Sequence, residues 1–498
     1  MPIAETYSSS IPFWALVVSL LATPFILWSS RRPNLREFWT LLAAVIKFAL
    51  VLTLLPGVRE GRVAEFVLLE IAEGIELSLR ADAFGVFFAV IASGLWILTS
   101  FYSIGYMRGH HEKKQTRYFA SFAVSLSATI GIAFSGNLLT FIIFYEMLTL
   151  ATYPLVVHSE NREAIRAGRQ YLAYALTAGL LLVAGAGWIY QMTGTLDFTP
   201  GGVLEEGMLS ASGMRVLFFM LLIGVAVKGG IMPLHSWLPA AMVAPTPVSA
   251  LLHAVAVVKS GVFGVVRMVG FVFGPEVMGA YGLSTILAVF AGITIVLASL
   301  IALRQNNLKR RLAYSTVAHL SYIALGAALL NADGFTGGIL HISTHATMKI
   351  TLFFCAGAII VHLHRENVTD LDGAGRAMPW TFTAFAIGAM GLTGLPPING
   401  FLSKWFLCMG SLDAGAWAVL GVLLLSGLLN AAYLFPVVYR GFFCFSNQFE
   451  GKGEASPFMV VPLTITAVLS IVFCLFPNVL FGLFDLASAV ADSVLGTH

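Results

Sequence analysis

The chain has 498 residues, of which 58% are hydrophobic and 11% are charged, with a formal net charge of +3. Soluble domains carry about a quarter charged residues, so this composition excludes an ordinary soluble protein and points to lipid rather than nucleic acid as the surroundings. The four cysteines stand singly in apolar segments, without metal-ligand or redox spacing, and we predict neither a metal site nor a cofactor. They are Cys355, Cys408, Cys444 and Cys474.

Apolar segments of about 20 residues, the length that crosses a bilayer, recur along the chain. Because an open strand in lipid would leave its backbone groups unpaired, they predict an all-α integral membrane protein with about 14 transmembrane helices. The predicted spans are 11–30, 37–57, 82–106, 117–135, 137–157, 170–192, 216–242, 246–270, 281–303, 313–331, 336–362, 379–411, 414–444 and 457–476.

Basic residues between the spans indicate the orientation, because lysine and arginine accumulate on the inner side of a membrane. With the N-terminus outside, the basic clusters within 31–36, 108–117, 162–169 and 304–311 all fall on inward segments. We therefore expect a multi-pass protein of a bacterial inner membrane with both termini outside.

Two of the predicted spans, the seventh and the twelfth, contain glycine and proline at their centres. These residues are Gly229, Gly230 and Pro233 in span 7, and Gly394, Pro396, Pro397 and Gly400 in span 12. Glycine and proline interrupt helices, and paired interrupted helices are typical of transporters built from inverted repeats. Since the breaks are five spans apart, we predict two inverted five-helix repeats. The expected divisions are an N-terminal three-helix segment (1–116), the two repeats (117–270 and 281–445) and a C-terminal helix and tail (446–498).

Five lysines and one glutamate are predicted to lie within the membrane, away from the ends of their spans. They are Lys47, Glu146, Lys228, Lys259, Lys349 and Lys404. Each costs about 2.5–3.5 kcal/mol at the centre of a membrane helix, so they must face a polar interior, pair or lose their charge. Lys47 has no polar partner in its own span, and we interpret it mainly as a structural residue. Glu146 is the one acid deep in a span, and we expect it to pair with Lys228, directly or through one water.

Four histidines, His253, His319, His341 and His345, also lie within spans. His341, His345 and Lys349 are spaced by four residues and therefore share one helix face. Histidine titrates near neutral pH, and burial brings a lysine towards the same range, which makes this pattern typical of proton transfer. Structural alternatives stay open, namely ion pairing or snorkelling for a lysine and a helix–helix bridge for a histidine. A metal site fits poorly, because a lysine one turn away repels a cation.

Five stretches of the chain resemble one known family. They are FYEMLTLATYPLV (144–156), MPLHSWLPAAMVAPTPVSALLHA (232–254), RLAYSTVAHLSYIALG (311–326), HISTHATMKITLFF (341–354) and GLPPINGFLSKWFL (394–407). They are similar to the antiporter-like proton-translocating subunits of respiratory complex I, membrane-bound hydrogenases and Mrp-type cation/proton antiporters. The resemblance extends over about residues 80–445.

The resemblance implies roles for the buried ionisable residues. It makes Glu146 and Lys228 a pair where protons enter, Lys259 the central lysine, and Lys404 the residue near the exit. It places His253, His319, His341, His345 and Lys349 on a central hydrophilic axis. Lysine at 404 favours the Mrp D-type subunits, since one complex I homologue has glutamate there. No acid lies between Gly168 and Trp188, where some relatives have one.

Three functions remain as hypotheses at this point. The first is a D-type subunit of a multisubunit monovalent cation/proton antiporter, with other membrane subunits, protons and Na⁺ or K⁺ as partners. The second is a proton-pumping module of a redox complex, whose redox centres would lie in other subunits. The third is a structural or ion-transport partner of a different membrane enzyme, because one fold can serve several functions.

Overall fold

Helices form most of the chain, and they follow the apolar segments of the sequence. The computed structural model describes residues 5–72 and 75–496. In chain order the α-helices are α1 (Ile11–Trp28), α2 (Pro33–Leu52), α3 (Leu55–Arg59), α4 (Ala83–Gly109), α5 (Gln115–Ala133), α6 (Leu138–Val156), α7 (Arg162–Thr193), α8 (Ala211–Gly229), α9 (Trp237–Ala240), α10 (Thr246–Ala250), α11 (Val257–Arg267), α12 (Gly274–Ala280), α13 (Leu283–Arg304), α14 (Leu308–Ala328), α15 (Ala332–Leu363), α16 (Ala374–Ala377), α17 (Pro379–Thr393), α18 (Gly400–Asp413), α19 (Trp417–Phe443), α20 (Pro457–Leu475) and α21 (Leu483–Leu495).

Within the described ranges, 11 helical segments are long and apolar enough to cross a membrane by length and composition. This confirms a predominantly helical, multi-pass membrane protein, whereas the count of 14 stays a prediction. The predicted spans 117–135, 313–331 and 379–411 fall outside the 11. The last of these is divided between α17 and α18, which have 15 and 14 residues.

The outer surface of the helices is apolar, as lipid requires. Leu180 on α7 is 72% exposed, and Leu428 and Trp417 on α19 are 72% and 71% exposed. The charged side chains of the predicted spans lie inside instead, as the site described below shows. This inside-out distribution of polarity is the opposite of that in a soluble protein.

A three-stranded sheet is the part of the fold that the sequence reading lacked. It consists of β1 (Glu5–Ser8), β2 (Arg62–Ala72) and β3 (Ile75–Ala81) in the order β1-β2-β3. β1 runs parallel to β2, and β2 pairs antiparallel with β3, with Ala64 opposite Ala81. The alternation of apolar and polar residues over Ile75–Ala81 is the two-residue period of a strand. An exclusively α-helical fold is therefore corrected by this small sheet, whose first strand precedes α1 and whose other two strands lie between α3 and α4.

The residues that cap the first helical turns are separated by the same number of positions between the two predicted repeats. Asn137 caps α6 and Asn307 caps α14, and each side chain accepts a hydrogen bond from the amide three residues on. Asn161 caps α7 and Asn331 caps α15 in the same way. Asparagine is a preferred N-cap because its side-chain oxygen satisfies a free amide of the first turn. The helices α7 and α15, which follow the second pair of caps, both have 32 residues.

Both predicted helix breaks are present. α8 ends at Gly229 and is followed by Gly230 with φ +67°, and α17 ends before Gly394 with φ +96°. Glycine adopts this left-handed conformation without steric cost, so the helical hydrogen-bond pattern stops there. α18 begins at Gly400, where a Cβ would lie 2.0 Å from the Gly391 carbonyl oxygen, so the two halves fold tightly together. The prediction that the helices of spans 7 and 12 are broken is confirmed.

The centre of the protein is formed by α15 and by the helical segment Thr246–Ala280. α15 packs against α14, α17, α18 and α20. The segment Thr246–Ala280 is buried along its most apolar stretch and extends beyond the predicted end of span 8 at residue 270. It contains π-helical turns at Leu251–Val255 and Met268–Phe273. Such turns are rare and frequently occur at functional sites. These central helices carry most of the predicted site residues.

Candidate functional site

The predicted central residues are inside the protein and not at its lipid-facing surface. Lys228 and Lys349 are fully buried, Lys259 is 1% exposed and Lys404 is 9% exposed. The four histidines of the prediction, His253, His319, His341 and His345, are fully buried as well. Because a buried ionisable group is costly without polar neighbours, the contacts of each side chain indicate what it can do.

Lys228 contacts the residue next to Glu146. Its ammonium group donates a hydrogen bond to the backbone carbonyl of Tyr145 and lies 3.4 Å from the centre of the Tyr145 ring. In the part of the chain that the structure describes, neither carboxylate oxygen of Glu146 has a hydrogen-bond partner. Of the two expected arrangements, a direct ion pair is not formed among the described residues, because the Tyr145 carbonyl takes the ammonium group, and pairing through one water stays a prediction.

The break after Lys228 brings its helix against the helix of Lys259. A Cβ at Gly261 would lie 2.1 Å from the Gly229 nitrogen and 2.4 Å from the Lys228 carbonyl carbon. Only glycine permits this approach of two backbones. The indole of Trp237 donates to the Val227 carbonyl at 2.7 Å, which satisfies one of the acceptors left free by the helix end. Glycine therefore sets the distance between the two lysine-bearing helices.

Lys259 and His345 form the closest contact between two titratable side chains of the prediction. The Lys259 Nζ atom lies 2.6 Å from His345 Nδ1, and both side chains are buried. One hydrogen can occupy this contact, either on the lysine or on the imidazole. The other ring nitrogen of His345, Nε2, is without a hydrogen-bond partner among the described residues. The pair can therefore share one proton between α11 and α15.

The histidine rings stack beside this pair. The ring centre of His319 on α14 lies 5.5 Å from that of His345 and 5.3 Å from that of His341. His319 Nδ1 is 3.1 Å from His341 Nε2, and His341 Nδ1 is 2.9 Å from the Ser403 hydroxyl on α18. This series of contacts runs from α14 through α15 to the residue that precedes Lys404.

Lys349 is held by α14, and no carboxylate of the described residues contacts it. Its ammonium group donates to the Ser315 hydroxyl at 2.7 Å and to the Leu312 carbonyl at 3.2 Å. The hydroxyl of Tyr433 on α19 lies 2.9 Å from the same Ser315 oxygen. Lys349 thus has neutral oxygen partners that tolerate either of its charge states.

The ammonium group of Lys404 binds at the break in predicted span 12, between α17 and α18. Its ammonium group donates to the carbonyls of Leu392 at 2.6 Å and Thr393 at 3.0 Å, and it lies 5.2 Å from the Tyr322 ring centre. These two carbonyls end α17, and the break frees them from the intrahelical hydrogen-bond pattern. The interruption in the sequence therefore supplies the acceptors for a buried lysine.

Two predicted residues remain outside these contacts. His253 packs on Phe353 with ring centres 5.1 Å apart, and neither of its nitrogens has a hydrogen-bond partner within the described ranges. Lys47 donates to the Ser19 hydroxyl at 2.7 Å and lies 5.4 Å from the Trp96 ring. Lys47 thus joins α2 to α1, away from the central helices, in agreement with its structural interpretation.

Several neutral and basic residues of the interior were missed by the sequence reading. Ser315, Ser403, Asn430 and Tyr433 contact the site, and a search for polar pairs in apolar spans would have found Asn430 and Tyr433, three residues apart. Arg267, near the predicted end of span 8, is buried and forms a bidentate ion pair with Asp82 at 2.6 and 2.8 Å. Four aromatic rings surround the guanidinium group of Arg267, and their cation–π contacts stabilise its charge in the interior, at the end of α11.

The arrangement contains proton-transfer groups but, in the described residues, no cluster of three or more histidine, cysteine, aspartate or glutamate side chains suited to a metal ion. Lysine and imidazole nitrogens change between donor and acceptor when they lose or gain a proton, and neutral hydroxyl groups can act as either. The chemistry that these residues can perform is therefore the movement of protons between buried sites.

Comparison with known proteins points to one family. Residues 135–430 match the family model described as NADH:quinone oxidoreductase/Mrp antiporter, TM. Residues 71–119 match the model described as NADH-Ubiquinone oxidoreductase (complex I), chain 5 N-terminus.

Individual relatives come from different complexes. The chain is 34% identical to NADH-quinone oxidoreductase subunit N of Desulforudis audaxviator over 74% of its own length and 73% of that protein. It is 30% identical to one of the Na(+)/H(+) antiporter subunits of Alkalihalophilus pseudofirmus, over 94% of its own length but 61% of that protein. The fold matches a chain of the Mrp complex from Dietzia sp. DQ12-45-1b with a TM-score of 0.85 and 21% identity, covering 98% of this chain and 99% of that one.

Proposed function

The chain belongs to the NADH:quinone oxidoreductase/Mrp antiporter transmembrane family, and from that premise we propose that it is the proton-translocating subunit of a multisubunit monovalent cation/proton antiporter. The observation that carries the proposal is the buried contact of Lys259 with His345, with Lys228, Lys349 and Lys404 buried on the same or neighbouring helices. A purely structural interior has no need of four buried lysines for which the described residues provide no direct carboxylate partner.

The proposed relay begins at Glu146 and Lys228 and continues to Lys259 and His345. From there it reaches Lys349 and Lys404, with His253, His319 and His341 in supporting roles. Water completes the steps between side chains that are not in contact. A proton on one lysine disfavours a proton on its neighbour, because like charges in a poorly solvated interior repel. Loading one site therefore favours unloading the next, without large movements of the helices.

The architecture that surrounds the relay is part of the same proposal. We place residues 117–270 and 281–445 as two inverted repeats, supported by the equal offset of the Asn137 and Asn161 caps from Asn307 and Asn331. The membrane is a bacterial inner membrane, both termini lie outside, and other membrane subunits complete the complex. The basic clusters on alternate segments support this orientation.

A redox-driven complex is the second candidate. The similarity to NADH-quinone oxidoreductase subunit N favours it, since that relative is 34% identical and covers most of both chains. In such a complex the same buried residues would move protons, while electron transfer would occur in other subunits. The two candidates differ in what drives the protons and not in the relay itself.

Purification of the native assembly followed by reconstitution in vesicles tests the proposal. An antiporter moves protons when Na⁺ or K⁺ is added against an imposed pH difference, without an electron donor. Flavin or iron–sulfur partners, together with proton movement that requires an electron donor, would contradict the antiporter assignment and favour the second candidate. Proton movement under neither condition would contradict both.

A further inference from the structure

A hydrogen-bonded array on α14 and α19 joins the two lysines at the far end of the proposed relay. Lys349 donates to Ser315, and the Ser315 oxygen lies 2.9 Å from the Tyr433 hydroxyl. Tyr433 donates to the Asn430 side-chain oxygen, and the Asn430 amide donates to the Leu392 carbonyl at 3.0 Å. The same Leu392 carbonyl accepts from Lys404 at 2.6 Å. All five of these side chains lie in the interior.

Tyr433 has one hydroxyl hydrogen and two acceptors within reach, the Ser315 oxygen and the Asn430 side-chain oxygen. When Lys349 carries its proton, its ammonium group has donors only, so Ser315 accepts from Lys349 and does not depend on Tyr433 for a donor. The Leu392 carbonyl can only accept, which assigns the Asn430 nitrogen to it and leaves the Asn430 oxygen facing Tyr433. The Tyr433 hydrogen then goes to Asn430, and each acceptor in the array has a donor.

The array has a second arrangement when Lys349 is neutral. The amine then has a lone pair, so Ser315 can donate to it. Tyr433 can turn its one hydrogen from Asn430 to Ser315, and Asn430 loses the donor that fixes its oxygen. A freed Asn430 amide binds the Leu392 carbonyl less firmly, and that carbonyl becomes a better acceptor for Lys404. A charged Lys404 is then favoured, since acceptors stabilise the ammonium form.

We propose that Ser315, Tyr433 and Asn430 transmit the charge state of Lys349 to Lys404, with the single Tyr433 hydroxyl hydrogen as the switching element. This inference rests on the proposed function and adds positioning residues to it. Asn430 is an amide and a poor proton carrier, so the array orients hydrogen bonds and does not itself conduct. Its effect reinforces direct repulsion between the two lysines, because it favours opposite charge states at the two positions.

Tyr433→Phe in the native assembly tests the inference. The substitution keeps the ring and removes the switching hydrogen, so the proton translocation rate per assembled complex in vesicles should fall about tenfold, the scale of one lost hydrogen bond. Ser315→Ala breaks the same array and should have a similar effect. The double variant should be no slower than either single variant, because residues that act as one unit are non-additive.

Tyr118→Phe is the matched control, since it also removes a buried hydroxyl, bonded at 2.7 Å to Ser103 and outside the array. It should translocate at the unaltered rate, and its thermal midpoint should resemble that of Tyr433→Phe. A normal rate in Tyr433→Phe, an equal loss in Tyr118→Phe, or additive losses in the double variant would overturn the inference. If Glu146→Gln still reduces translocation at least about tenfold and Lys404→Ala abolishes it in those cases, the proposed function stands and the array alone fails. Normal rates in all of them would instead remove the proposed function.

Discussion

Lys259 Nζ lies 2.6 Å from His345 Nδ1 in the interior, and these atoms join α11 to α15. A contact of this length holds one hydrogen, so protonation of both groups would set two donors against each other. The pair is therefore suited to hold one proton at a time, which it passes on when a neighbouring site becomes free. The predictions below follow from this arrangement and from the contacts on either side of it.

Lys259→Met should stop proton translocation while the complex still assembles. Methionine has a similar length and fits irregular interior space, but it cannot carry a proton. Removing a buried charge also removes its desolvation cost, so the thermal midpoint should stay level or rise. Both quantities are measured on the same purified complex. A drop in yield and midpoint with a normal rate per assembled complex would mean that Lys259 is structural.

Glu146→Gln should reduce translocation at least about tenfold with little change in assembly. The amide keeps the shape of the side chain but removes the negative charge next to Tyr145, the residue that the Lys228 ammonium group contacts. Glu206→Gln is the control, because it makes the same change at an exposed position outside the helices. Equal rates in the two variants would exclude Glu146 from the relay.

Gly261→Ala should destabilise the protein by about 3 kcal/mol, the upper range for overpacking, because the added Cβ meets backbone that cannot rotate away. It would lie 2.1 Å from the Gly229 nitrogen. Gly187→Ala is the control, since a Cβ there meets no atom within 4 Å among the described residues. Thermal unfolding in detergent compares the two. A Gly261→Ala midpoint equal to the control would show that the two helices are not held in this close approach.

The sequence was sufficient for those features that depend on local pattern. Span lengths predicted most helices, and the glycine and proline residues of spans 7 and 12 predicted both breaks. The four-residue spacing of His341, His345 and Lys349 placed them on one buried helix face. Such patterns are strong in a membrane protein, because each spanning segment must be apolar over the thickness of the bilayer and must satisfy its backbone hydrogen bonds within the protein.

Features that depend on contacts between distant segments were beyond the sequence reading. The charge of Glu146 suggested a pair with Lys228, directly or through one water, but gave no sign that the ammonium group would take the adjacent Tyr145 carbonyl. Neutral partners such as Ser315 and Tyr433 carry no charge to mark them among many polar residues. Arg267 lies near the predicted end of span 8, and its partner Asp82 lies far away in the chain. The strand alternation at 75–81 is short, and it lies between two much longer apolar spans.

Lys404 provides the most direct test of the relay, because two carbonyls freed by the helix break hold its ammonium group. Lys404→Ala removes the titratable group, and Lys404→Glu replaces it with another that can carry a proton. Lys452→Ala, at an exposed position between α19 and α20, controls for the loss of a positive charge.

The deciding measurement is the initial rate of proton translocation in vesicles, divided by the amount of assembled complex. The relay predicts that Lys404→Ala falls to background while fully assembled, that Lys404→Glu retains part of the rate, and that Lys452→Ala is normal. A normal rate in Lys404→Ala, or a loss explained entirely by failed assembly in both Lys404 variants, would contradict the relay.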